Sequence, residues 1–333
     1  MQTTILVITD NLPEQINGVV TTFKNIEALA SADGYNIVYI DPGQFSYIDA
    51  PGYPEVKLSW PSKIGEKIKA ANADHIHIAT EGPIGLAANL WCWKHGWRFN
   101  TSYHTKFPEF IKQIYHVPER LTYSYVRWFH NHSGKILTTT QTMVDELKSH
   151  AFTGTIVAWT RGVDRTNLSP SKDWPHPNQH PTVLYVGRVS KEKNLDALCE
   201  LQNLYTINIV GDGPDRNRLE DLYPGVNFLG YKQGVDLADC YAQADVFCFP
   251  SKADTFGIVI IEALSVGTPV AGYRVPGPID ILEEGVTGFM GDSLQDSIDK
   301  CMLLDRAKVK AASAKWTWQN CWTLFKNNLV EII

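Results

Sequence analysis

The sequence is poor in several features that would settle its chemistry at once. Six cysteines stand at positions 92, 199, 240, 248, 301 and 321, none in a C-x-x-C pair and most inside apolar segments. That spacing offers neither a disulfide framework nor a thiolate metal cage, and it fits a reducing compartment. No apolar run reaches the roughly 18 residues that a membrane-spanning helix needs. The opening MQTTILVITD lacks the basic and long apolar regions of a signal peptide, so a cytoplasmic location is expected. Charge of one sign is also scarce: a net charge of −6 gives no general reason to expect a polyanionic partner, and nucleic acid is disfavoured from the outset. There is no internal repeat, no low-complexity tract and no Asp-x-Asp pair.

What the chain does have is an alternating pattern over 333 residues, 44% of them hydrophobic, enough for two domains with a core each. Strand-like runs TTILVIT, YNIVYI, DHIHIA, FNTSYH, GKILTTT and GTIVAW fill the first half; TVLYVG, TINIVG, VNFLG, DVFCFP and TPVAGY fill the second. Segments long enough for a helix separate them, which implies right-handed crossovers and parallel sheets covered on both faces. The stretch NLSPSKDWPHPNQHP (167–181), with prolines at 170, 175, 177 and 181, reads as the linker. The expected organisation is therefore α/β: two doubly wound, Rossmann-like domains, 1–165 and 166–315, with ligand in the cleft where the carboxyl ends of both sheets meet. In WTWQNCWTLFKNNLV the aromatic and apolar positions 318, 322, 325 and 329 recur at helical spacing. This C-terminal helix (316–333) is expected to pack back toward the first domain.

The stretch SKADTFGIVIIEALSVGTPVAG (251–272) carries two acids, Asp254 and Glu262, eight residues apart around an apolar run. Asp254 falls in a loop, while Glu262 lies inside a helix that Gly267 closes, with Pro269 just beyond. The free amides at that helix start, near Gly257 and Ile258, suit an anion. A sugar nucleotide accounts for carboxylates beside an anion site: Glu262 would hold a ribose and Asp254 the sugar, through paired hydrogen bonds to neighbouring hydroxyls. A capping Asp and a solvated Glu are the plainer alternative.

This stretch resembles the acidic-pair motif of the retaining glycosyltransferases of family four, the large sucrose-synthase-like group with GT-B architecture. The resemblance covers nearly the whole chain and implies two facing Rossmann-like domains, a first that takes the acceptor and a second that takes the nucleotide-sugar donor. The sequence departs from the commonest pattern at Asp254, where most members carry Glu. Donor contacts at Phe256, Gly257 and Ile258 are implied as well. VLYVGRVSKEKNLDAL (183–198) resembles the basic donor segment, on which Arg188 and Lys193 match the residues that bind the diphosphate; two cations there would neutralise the leaving group without a metal. No metal and no cofactor are expected. VGDGP (210–214) places Gly211 and Gly213 on the nucleotide side. The third glycine of a dinucleotide fingerprint is replaced by Arg216, which argues against a dehydrogenase.

In the first half, DNLPEQINGVVTTF resembles the glycine loop, with Gly18 against diphosphate or acceptor, and TSYHTKFPEF places His104 where the family's histidine faces the donor sugar. A neutral imidazole there would accept from a hydroxyl. Glu81 and Gly82 are expected to wall the acceptor pocket. His75 and His77 form an H-x-H with no third ligand at metal spacing, and are read as structural. TRGVD (160–164) is given no chemistry. Between 57 and 135 there are eleven Lys and Arg against five acids, interleaved with aromatics that include Trp60, Trp93, Tyr123, Tyr125, Trp128 and Phe129. A basic, aromatic surface suits an anionic bilayer, so a lipid acceptor is expected. Within the family, SYHTKFPEF and VGRVSKEKN look most like a bacterial subgroup similar to diacylglycerol glucosyltransferases and GDP-mannose-dependent mannosyltransferases; that resemblance implies diacylglycerol as an acceptor, with UDP-glucose favoured over GDP-mannose as donor. A sugar-nucleotide epimerase, or a transferase acting on a glycan or nucleic acid, is the alternative.

Overall fold

The computed structural model describes residues 2–15, 17–50, 53–171, 174 and 180–333, the side chains of 53–55, 110 and 113–115 excepted. Residues 172–173 and 175–179 of the proline-rich stretch expected as a linker, including Pro175 and Pro177, lie outside the described residues, and the units divide instead at 161/162 and 317/318. The chain forms two compact units, Met1–Arg161 with Trp318–Ile333, and Gly162–Thr317.

In the first unit a parallel sheet is built from β1 (Thr3–Ile8), β2 (Tyr35–Ile40), β5 (His75–Ile78), β6 (Asn100–Tyr103), β7 (Lys135–Thr138) and β8 (Thr155–Ala158), in the order β2-β1-β5-β6-β7-β8. Between β2 and β5 the chain inserts an antiparallel hairpin, β3 (Ser46–Ala50) and β4 (Tyr53–Trp60), pairing Ile48 with Leu58 and Ser46 with Trp60. The second unit holds β9 (Thr182–Val186), β10 (Thr206–Val210), β11 (Asn227–Gly230), β12 (Val246–Phe249), β13 (Val270–Gly272) and β14 (Gly288–Met290), in the order β11-β10-β9-β12-β13-β14, again all parallel. Strands in the middle of such sheets are covered on both faces, which is why Ile5, Leu6, Val7 and Ile8 follow one another without a polar break and are all buried. Every strand read from the sequence is present. The hairpin and β14 were not foreseen: the hairpin strands mix charge with apolar residues, and β14 is only three residues long.

The helix Trp318–Lys326 belongs to the first unit. Its Cys321, Trp322 and Phe325 are fully buried against Ile5, Val7 and Phe23, the last from the helix Gly18–Ala32. Trp322 Nε1 donates to Asp33 Oδ2 at 2.9 Å, and Lys326 pairs with the same carboxylate. Phe325 also packs its ring 4.9 Å from that of His77, which is fully buried with Ser102 Oγ 2.6 Å from its Nε2. His75 Nδ1 meets the Val330 carbonyl at 2.8 Å. Both histidines of the H-x-H pair are thus engaged in packing this unit together.

Phe325→Ala is expected to cost about 3–5 kcal/mol, read from a denaturant midpoint, because it empties a slot shared by four aromatic rings. Burial, aided by the Arg161 charge, pushes the His77 pKa down to about 3. The unfolded imidazole protonates near pH ~6.5, so the unfolded state binds the extra proton and stability falls as pH drops from there toward 3. His77→Gln should flatten that part of the stability–pH curve.

Candidate active site

Topology places the candidate site. In the second unit the chain works outward from β9 to β11, then crosses back to β12 on the other side of β9, so β9 and β12 are neighbours whose connections leave in opposite directions. At such a switch point the loops leave in opposite directions, and open parallel sheets as a rule hold ligands there, at the carboxyl ends of the strands. After β9 come Arg188 and the short turn Lys191–Lys193; after β12 come Asp254 and Gly257, then the helix Ile258–Ser265 with Glu262 in its second turn.

Lys193 and Asp254 meet across the switch point: Nζ donates to Oδ1 at 2.7 Å, both side chains being about three-quarters buried. Asn194 Nδ2 donates to the Pro250 carbonyl at 3.1 Å and ties the same two loops a second time. Burial works to raise the Asp254 pKa, but the charge and hydrogen bond of Lys193, with a further hydrogen bond from Ser251, hold the carboxyl below its ordinary value. Asp254 is accordingly an anion at neutral pH. Glu262 has the opposite balance. Burial raises its pKa, and the hydrogen bond from Tyr241 Oη to Oε2 at 2.8 Å offsets only part of that rise. Tyr241, fully buried and itself held by Thr268 Oγ1 on its carbonyl at 2.6 Å, fixes one oxygen of Glu262. Sequence reading passed over Tyr241; its place in YAQADVFCFPS, one turn before β12, is the signal that could have found it.

Gly257 sits at the helix start with φ +84, and a Cβ there would come within 2.9 Å of the Phe249 ring. A side chain is excluded on both counts, which leaves the backbone open to an anion. Phe256 turns its ring into the core, edge-on to Trp316 at 5.7 Å, so what it offers a ligand is backbone. Gly211, at φ +129, would place a Cβ 1.9 Å from the Gly187 carbonyl oxygen, and Gly213 one 2.3 Å from that of Val189. These two glycines let the loop after β10 lie directly on the loop that carries Arg188. Ile258 opens the helix, half-buried.

The first unit has its own switch point, between β1 and β5. Gly18 is the first residue of the helix Gly18–Ala32, whose amides at Val19 and Val20 both donate to Asn17 Oδ1 at 3.0 Å. Glu81, 9% exposed, lies 3.0 Å through Oε1 from His130 Nε2, and its carbonyl accepts from Tyr125 Oη at 2.6 Å. Beside it stands Asp10, which sequence reading did not single out. It accepts from Thr80 Oγ1 at 2.7 Å and from the amides of Ile84 and Gly85 at 2.8 and 3.3 Å, at the start of the helix Pro83–His95. A Cβ at Gly82 would meet its carboxylate at 2.5 Å, so glycine is required there. Burial raises the Asp10 pKa to about 6, against those hydrogen bonds and with help from the Glu81 charge. His104, just past β6, has Nδ1 2.8 Å from Arg161 Nη2. The candidate residues thus fall into two groups, each at the carboxyl end of one sheet: Gly18, Glu81, Gly82 and His104 in the first unit, and Arg188, Lys193, Gly211, Gly213, Asp254, Phe256, Gly257, Ile258 and Glu262 in the second.

Two family profiles divide the chain between them. Glycosyltransferase Family 4 matches residues 16–167 and Glycosyl transferases group 1 matches residues 169–304. The GDP-mannose-dependent alpha-mannosyltransferase of Corynebacterium glutamicum is 28% identical over 99% of this chain and 89% of its own length. The sulfoquinovosyl transferase of Arabidopsis thaliana is 29% identical over 83% of this chain and 61% of its own length. The phosphatidyl-myo-inositol mannosyltransferase of Mycobacterium leprae is 28% identical over 51% of either chain. Among solved structures, sucrose-phosphate synthase from Thermosynechococcus elongatus superposes with a TM-score of 0.75 at 18% identity over 98% of both chains. HepE from Anabaena, in complex with UDP, gives 0.69 at 15% identity over 98% and 99% of the two chains. At those identities the structural likeness is one of fold.

Arg188→Ala and Glu262→Gln should each lower nucleotide affinity or turnover by about tenfold or more, measured by titration calorimetry and initial rates. Tyr241→Phe should raise the nucleotide Kd with a smaller change in turnover, since it frees Glu262 to rotate rather than removing it.

Proposed function

The chain belongs to the family 4 glycosyltransferases, nucleotide-sugar enzymes of GT-B fold, and from that premise we propose that it is a retaining, metal-independent hexosyltransferase whose acceptor is a membrane lipid. The observation that carries the donor half of this reading is the Lys193–Asp254 contact at the switch point, with the open helix start at Gly257 beside it. A diphosphate entering there meets Arg188, Lys193 and the amides at 257 and 258. It competes with Asp254 for Lys193, and the freed carboxylate turns to the sugar hydroxyls while Glu262 takes the ribose.

Transfer then breaks the bond from the sugar C1 to the β-phosphate oxygen. The acceptor hydroxyl attacks C1 from the face the leaving group vacates, and the departing phosphate oxygen takes the hydroxyl proton. Fixed cations and amides stabilise the charge that develops on the diphosphate, and such preorganised stabilisation is where most of the rate comes from. The sequence has no Asp-x-Asp to hold a cation for this purpose, while Arg188 and Lys193 supply two charges. Among hexoses, mannose from GDP-mannose now leads over glucose from UDP-glucose. The relative matched over 99% of this chain is GDP-mannose-dependent, whereas the UDP-bound neighbour shares 15% identity and speaks for the fold.

The lipid half rests on surface chemistry and on the M. leprae relative, whose name specifies a phosphatidyl acceptor. The helix Glu119–Asn131 turns Tyr123 and Phe129 into the core, so part of the aromatic run is packing. Trp128 and Leu121 remain exposed, as do Leu90 and Trp93 on the helix Pro83–His95, and both tryptophans touch the His132 ring, at 4.8 and 5.2 Å. The β3–β4 hairpin adds exposed Ile48, Leu58 and Trp60. Exposed Lys94 and Arg120 border the helical patch in sequence. Rings at headgroup depth with bordering cations fit an anionic bilayer, each cation adding about 1 kcal/mol.

A thermal-shift panel should single out GDP and GDP-mannose. A ligand at about one hundred times its Kd stabilises by about 2.7 kcal/mol, and a response to UDP-glucose alone reverses the donor assignment. Turnover should survive a chelator undiminished. In vesicle flotation the protein should rise with anionic and not with neutral vesicles, and equal failure with both removes the lipid-surface reading.

A further inference from the structure

We propose that Arg161 is a positioning residue that holds His104 as a neutral imidazole donating through Nε2. The inference rests on the reading above in placing His104 at the donor sugar; the state of the imidazole itself does not. Arg161 lies three residues beyond β8, in the TRGVD stretch, and only 3% of it is exposed. Its guanidinium donates through Nη1 to the carbonyls of Trp159 and Thr160, at 2.6 and 3.0 Å, and lies over the Trp159 ring at 4.5 Å. Nη2 lies 2.8 Å from His104 Nδ1. None of these partners is anionic, so a buried cation is held in place by carbonyls and a ring, a costly arrangement where packing alone is the purpose.

The chemistry of the contact fixes the imidazole. A guanidinium has donors and no acceptor, so Nδ1 must present its lone pair, and in a neutral ring the proton then resides on Nε2. An imidazolium would set two positive charges 2.8 Å apart. Among the described residues, the other titratable groups whose charges act on His104 are His77 from β5 and His130 from the helix Glu119–Asn131, and neither supplies a negative charge. Burial first, then Arg161, His77 and His130, keep the His104 pKa well below its ordinary value. On this proposal His104 donates through Nε2 to a sugar oxygen, where its sequence context pointed to an acceptor. It keeps that role across the physiological pH range.

The test is nitrogen NMR of the full chain carrying labelled histidine, with His104→Gln to assign the signal. Wild type should show the Nε2–H tautomer unchanged from about pH 5 to 8.5, outside the range where an ordinary imidazole near ~6.5 titrates. Arg161→Met should give mixed tautomers and a midpoint moved toward that value. Its turnover should fall about tenfold or more, with a smaller change in donor KM and a new loss of rate on the acid side. Arg161→Lys, which keeps the charge, should restore part of the acid-side rate, and it serves as the second variant if the methionine protein fails to fold. An Nδ1–H tautomer or a titrating His104 in wild type overturns the proposal, as does an unchanged signal in Arg161→Met. If the tautomer is as stated but His104→Gln turns over at the wild-type rate, the positioning stands and the placement of His104 at the sugar is what fails.

Discussion

The candidate site of the second unit is organised around one contact, the ion pair between Lys193 and Asp254. The two residues are 61 positions apart in sequence and meet because β9 and β12 are sheet neighbours with connections that run in opposite directions. Charges buried this far are stable there only as a pair, since each one alone would carry its desolvation cost unopposed. An anion that offers Lys193 a better partner therefore changes the state of Asp254 in the same step, and this makes the pair suited to a ligand that brings both a diphosphate and a sugar. Glu262 is arranged differently. Its partner is a phenol, so among the described residues no cation competes for its charge with the hydroxyls that could share it.

The first unit follows the same construction with different chemistry. Each of four strand ends contributes a polar group: Asp10 after β1, Glu81 after β5, His104 after β6 and Arg161 after β8. Their partners are amides, hydroxyls, imidazoles and carbonyls. Asp10, with a pKa raised to about 6, and neutral His104 are set by burial more than by charge. The C-terminal helix matters to this arrangement: Phe325 and Trp159 pack together at 4.8 Å, and Trp159 in turn supports the Arg161 guanidinium.

Much of this was legible in the amino-acid sequence because parallel strands covered on both faces announce themselves as unbroken apolar runs. Asp254 and Glu262 could be named because they flank an apolar run at a helix start, and Arg188 and Lys193 because the stretch after β9 resembles the family's basic donor segment. The hairpin escaped because a sheet exposed on one face mixes Lys57 and Asp49 with Ile48 and Leu58 and has no apolar run to detect. Asp10, Tyr241 and Arg161 escaped for another reason. Each acts through a partner distant in sequence, Ile84, Glu262 and His104, and only the fold brings those partners within reach. The aromatic helix was half right: period alone shows that one face is apolar, and the core claimed Tyr123 and Phe129 while leaving Trp128 outside.

The central claim is that a nucleoside diphosphate binds at the β9–β12 switch point by taking Lys193 from Asp254. A crystal structure of the protein with such a nucleotide bound tests it most directly. Diphosphate oxygens on Lys193 Nζ, Arg188 and the amides at 257 and 258, with Asp254 released, are the predicted result; nucleotide bound elsewhere, with the Lys193–Asp254 pair intact, would contradict it.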